Sequence, residues 1–162
     1  MALIHDFLLL DLQIDGEWEA HRFIHDPRVL HLHDDLVRYM EDTLAWIPTF
    51  NPTRKETQSG LCMWGPTIIG VEGAGVAERV FRAWADLFAV GPSILSLTGV
   101  YSWAVEGDAA PPVGERGSAL QGGCDKLAFP RDEVVAVLRQ MAEYAGRVQS
   151  AGDRLYLLHQ GV

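Results

Sequence analysis

The sequence is poor in several residues that would make it easy to classify. It has two cysteines, Cys62 and Cys124, far apart in the chain. No disulfide framework is expected from them, and both thiols are read as reduced. Basic residues are also few: thirteen Lys and Arg stand against twenty-two Asp and Glu, a net charge of −9. Arg54-Lys55 is the one adjacent basic pair. A phosphate backbone would be repelled by such a surface, so nucleic-acid binding is not expected. No apolar run approaches the ~18–20 residues of a membrane span. The opening MALIHDFLLLDLQID is interrupted by acids and lacks a basic start, which argues against a secretory leader. The expectation is a cytoplasmic protein that neither spans nor binds a membrane.

What is present suits one globular domain over residues 1–162, with 48% hydrophobic and 22% charged residues, enough to bury a core. FLLLDLQI (7–14) and EWEAHRFI (17–24) flank Asp15-Gly16, a hairpin signal. A three-residue loop pairs Ile14 with Trp18, Leu12 with Ala20 and Leu8 with Ile24, giving a mostly apolar face. Leu36, Met40, Leu44 and Ile47, joined by Val37, form a helical stripe over 35–47, with Asp34 as N-cap and Pro48 as stop. An earlier start at Asp26-Pro27 is equally legitimate. Residues 48–60 read as a polar loop and 61–71 as a strand, with Gly65-Pro66 as a candidate break. From Gly73 to Val90 a helix places Val76, Val80, Ala83, Trp84, Leu87 and Phe88 on one face. Residues 93–105 form a strand, 106–124 a long Gly/Pro-rich loop and 125–129 a short strand. A helix over 131–149 buries Val134, Leu138, Met141, Ala145 and Val148, and 154–162 is a closing strand. The order β-β-α-β-α-β-(β)-α-β predicts an α+β (or α/β) fold: a single mixed sheet with an N-terminal hairpin and about three packing helices.

Three stretches invite a chemical reading. HLHDDL (31–36) matches the His-x-His-x-Asp-His opening of metallo-β-lactamases through its first five positions, but Leu36 stands where the last histidine belongs. His31 and His33 share a side only if 29–33 is extended. The acids that follow are explained by helix capping near a positive dipole end, so no metal is expected. His-Asp recurs at 5–6, 25–26 and 33–34, and five of the six histidines precede residue 34, a region that histidine titration would make pH-sensitive. IIGVEGAGVAERV (68–80) has the layout of a phosphate loop, but Val76 and Ala77 stand where Lys and Ser/Thr are needed. Turn chemistry is taken to account for its glycines, and no nucleotide or other cofactor is expected. There is no G-x-S-x-G, Cys62 reads as core, and a Cys124–His159 pair has no local support.

Surfaces remain. Five tryptophans are many for this length, and Tyr101 and Trp103 share a strand face followed by Glu106 and Asp108. Aromatics rimmed by acids suit a basic protein partner. A second acidic patch is Asp34, Asp35, Glu41 and Asp42 on the first helix.

LCMWGPTIIG (61–70), AWADLFAVGPSILSLTG (83–99) and LYLLHQGV (155–162) resemble small bacterial α+β proteins that serve as immunity partners of polymorphic toxins. The resemblance covers about the second half of the chain and carries over no site residues. It implies a non-enzymatic, cytosolic protein that occludes a cognate toxin. The competing expectations are a small metal-dependent hydrolase or transferase using the His-rich N-terminal region, and a homo-oligomeric subunit.

Overall fold

The structure, a computed structural model, describes residues 4–12, 25–103 and 122–161. Six strands form one sheet in the order β2-β1-β8-β5-β3-β4. They are β1 (Ile4–Asp11), β2 (Leu30–His33), β3 (Pro48–Asn51), β4 (Glu56–Ser59), β5 (Pro66–Ile69) and β8 (Leu155–Gln160). All five pairings are antiparallel. The fold is therefore α+β, and the sheet is antiparallel where a mixed one was expected. Strands β6 (Ile94–Trp103) and β7 (Gly122–Pro130) make a separate two-stranded ribbon, with an irregularity between Thr98 and Tyr101.

Two long helices, α3 (Val71–Ala89) and α4 (Arg131–Ala151), cover one face of the large sheet. They run antiparallel: Gly75 lies against Gln149, Glu78 against Gly146, and Asp86 approaches Arg139. The core between helices and sheet includes Phe7, Leu9, Ile69, Phe81, Leu138, Met141 and Leu157. On the opposite face Leu8, Leu10, Tyr156 and Leu158 form a second buried cluster. Strands β1 and β8 are thus buried on both sides, which is why FLLL and LYLL read as continuous apolar runs. No helix among the described residues is long and apolar enough to cross a membrane.

Several expectations need correcting. The hairpin's second strand (17–24) lies outside the described residues; among the described strands β1 pairs with β2 and β8. The stripe Leu36, Val37, Met40, Leu44 and Ile47 is buried as expected, but in two short helices, α1 (Asp34–Tyr39) and α2 (Glu41–Leu44). The Thr43 hydroxyl donates to the Met40 carbonyl at the junction, a local bond that competes with helix continuation. The polar loop 48–60 is a hairpin of β3 and β4. Its inward positions are Thr49 and Asn51, both buried, so the usual apolar alternation is missing. Asn51 builds the turn, its Oδ1 accepting from the Thr53 and Arg54 amides at 3.0 Å each. The strand begins at Pro66, at the candidate break, and residues 61–65 precede it.

Helix α3 is rotated from its expected face. It buries Gly73, Ala74, Ala77, Val80, Phe81, Ala85 and Phe88, and leaves Leu87 exposed. The small residues let the helix approach β3, and a Cβ added at Gly73 would overlap the Pro48 carbonyl oxygen. Gly73 and Gly75 lie inside the helix, so packing and not turn chemistry explains the first of them.

Gly73→Ala is therefore expected to destabilise the protein by about 1–3 kcal/mol through overpacking against a backbone that cannot yield. At Gly75 an added Cβ meets only the movable end of Gln149, so Gly75→Ala should be neutral or gain about 0.5–1 kcal/mol of helix propensity. Urea unfolding of both variants checks the contrast.

Candidate functional site

Helix α1 connects the sheet to the surface. Strand β2 carries His31 and His33 extended, so the two histidines do share a side, and helix begins at Asp34. The N-cap is His33, not Asp34: its Nδ1 accepts from the Asp35 amide at 3.2 Å. His31 Nδ1 instead bonds Asp6 at 2.7 Å. Each histidine has its own carboxylate, and no group of three His, Cys, Asp or Glu side chains placed to hold a metal occurs among the described residues.

Asp34 turns inward. It is 5% exposed and so does not contribute to the acidic surface patch expected of it. Its Oδ1 bonds His5 Nε2 at 2.9 Å, and its Oδ2 accepts from Arg38 Nε at 2.6 Å. His5 Nδ1 in turn bonds His159 Nε2 at 2.8 Å. A hydrogen-bonded chain, His159–His5–Asp34–Arg38, thus runs from the sheet interior to the surface. Both rings are fully buried beside Phe7. Burial would raise the Asp34 pKa, but the bonds from Arg38 and His5 outweigh it and hold the carboxyl below its usual range. The His159 ring is pushed well below the ordinary histidine range, first by burial and then by the neighbouring His5.

Sequence reasoning missed this chain, although it carried a signal. His5 alternates with Phe7 and Leu9, and His159 with Leu157 and Leu155, so both occupy inward positions of apolar strands. A buried imidazole needs a partner.

The outer end of the chain faces a cleft of about 180 Å³ between α1 and the ribbon, lined by Asp35, Arg38, Tyr39, Thr98, Gly99 and Leu127. Among the described residues of the two expected patches, Asp35 alone lines this cleft, and β6 contributes Thr98 and Gly99. Tyr101 and Trp103 follow in β6, at positions paired with Cys124 and Gly122, and Glu106 and Asp108 lie outside the described residues. Beyond the cleft, Tyr39 packs with Trp84 and Phe88 at ring-centroid distances of 5.8 and 6.4 Å. Trp84 Nε1 donates to Thr43 Oγ1 at 2.8 Å, joining α3 to α2. On α3, Leu87 and Val90 are 57% and 83% exposed; Glu41 and Asp42 are exposed on α2, and Asp86 on α3 lies toward Arg139 of α4. Cys62 is a half-buried free thiol whose Sγ contacts the Trp64 carbonyl, not a strand core residue.

Removing the carboxylate should cost more than removing its surface partner. Asp34→Ala strands a buried His5 N–H and is expected to lose about 2–3 kcal/mol. Arg38 is half-exposed, and Arg38→Met should lose under about 1 kcal/mol. Chemical unfolding at pH 7.5 orders the two.

Comparison with protein-family models, with curated proteins and with solved structures gives no match, so no family's fold or activity is transferred to this chain.

Proposed function

We propose that this protein is a cytoplasmic binding module that occludes a basic protein partner, in the manner of an immunity protein neutralising a toxin. The observation that carries the reading is the exposed apolar edge formed by Tyr39, Leu87 and Val90 beside half-buried Trp84. An aromatic and aliphatic centre with the exposed acids Glu41 and Asp42 on the neighbouring α2 has the make-up of an interface core with a charged rim. The net charge of −9 favours a basic partner, because complementary charge raises the rate of encounter.

The test is co-purification from the native host, repeated with a variant carrying Glu41→Lys, Asp42→Lys, Asp86→Lys and Leu87→Asp. A stoichiometric basic protein is expected with the parent and should be lost with the folded variant. With that partner in hand, the two α2 reversals alone should slow association several-fold and flatten its salt dependence, measured by stopped flow. Retention of the partner by the full variant would remove this surface from consideration. A species containing only copies of this chain would replace the reading with self-association.

A further inference from the structure

The cleft between α1 and the ribbon holds two opposite charges that do not pair with each other. Asp35 and Arg38 both line it, and side chains three residues apart on a helix are ordinarily partners. Here the Arg38 Nε–H goes instead to Asp34 Oδ2 at 2.6 Å. Asp34 is bonded in turn to His5, so the guanidinium is anchored to the sheet through two hydrogen bonds. Among the described residues the two Nη groups of Arg38 have no partner, and they remain available to an acceptor. The Asp35 carboxylate is equally free to accept. Its Oδ2 lies 3.3 Å from His33 Nδ1, but that nitrogen already accepts from the Asp35 amide and has no proton to give while the ring is neutral.

The surrounding charge decides what such a pair can hold. Asp34 sits on Arg38, and Asp35 and Glu41 also bear on it. A simple anion would meet these carboxylates, and the chain as a whole carries −9. A simple cation would meet Arg38. A ligand carrying both signs adds no net charge and satisfies both groups. The rest of the lining sets its size and character. Leu127 and Tyr39 contribute apolar surface, Thr98 a hydroxyl, and Gly99 no side chain at all. At about 180 Å³ the cleft is smaller than the ~300–1,000 Å³ of sites for drug-sized ligands, which restricts it to a molecule of few heavy atoms.

We propose that this cleft binds a free α-amino acid with a short apolar side chain, its carboxylate received by the Arg38 Nη groups and its ammonium by the Asp35 carboxylate. Hydrogen bonds between charged groups are the strong kind. The guanidinium is positioned before the ligand arrives, and that lowers the ordering cost of binding. The buried chain His159–His5–Asp34 gains a role here, because it draws Arg38 away from Asp35 and leaves both for a ligand. Amino-acid binding is independent of the protein partner proposed above, although Tyr39 belongs to both the cleft and the apolar edge.

The experiment is a titration of the full chain at pH 7.5 with L-alanine and L-valine, followed in ¹H–¹⁵N amide spectra. Saturable shifts are expected at Asp35, Arg38, Tyr39, Thr98 and Gly99. N-acetylvaline lacks the ammonium and valinamide lacks the carboxylate. Each should bind the unmodified protein at least about tenfold more weakly than valine, the loss expected of one charged hydrogen bond. Asp35→Asn and Arg38→Met should weaken valine binding by a similar factor, and Asp42→Asn, outside the cleft lining, should leave it unchanged. No saturable shift with either amino acid, equal binding of the blocked forms, or unchanged binding in both cleft variants would each overturn the assignment. None of these readouts involves a protein partner, so the occlusion reading stands or falls separately.

Discussion

The rest of this structure depends on two adjacent strands, β1 and β8, whose central residues are buried on both faces of the sheet. Phe7 to Leu10 and Leu155 to Leu158 alternate between the core under the helices and the second apolar cluster. Two of the helix-side positions are histidines, and a buried ring nitrogen without a partner is expensive. The sheet cannot satisfy both rings by itself, so the hydrogen bonding continues through Asp34 to Arg38. The seat of α1, and with it one wall of the cleft, follows from a need that arises inside the sheet. The apolar stripe Leu36, Val37 and Met40 secures the same helix, so packing and polar satisfaction demand one geometry.

Much of the fold was legible because its signals are local. The helical period of α4 and the apolar density of β1 and β8 place those elements directly. The elements that escaped have their causes at long range or in polar side chains. The β3–β4 hairpin turns Thr49 and Asn51 inward, where apolar residues usually announce a strand. The rotation of α3 is set by the close approach of Gly73 to Pro48, a contact invisible along the chain. HLHDDL is strand through His33 and helix from Asp34, with the two histidines on one side and no third metal ligand grouped with them among the described residues. The site was legible only in part. Asp35 belongs to the cleft and Asp34 to the interior, because consecutive residues at a helix start point in different directions.

The rotation of α3 also shapes the exterior. Burying the small residues Gly73, Ala74 and Ala77 brings the helix close to its neighbours, and the same turn carries Leu87 outward beside the Tyr39–Trp84–Phe88 group. A tightly packed interior and an apolar outer edge are two results of one steric choice.

The sheet order has a consequence for how the chain is made. Strand β8 sits between β1 and β5, yet the bond between His5 and His159 spans 154 positions in sequence. Until residues beyond 155 have been synthesised, β1 and β5 have no strand between them, and the edges that β8 will pair stay open. Closing contacts of that range is slow, since the loop entropy must be overcome before the contacts reward it. During translation the ribosome therefore carries a chain with exposed, aggregation-prone strands, and the demand for chaperone protection is highest just before the last strand emerges.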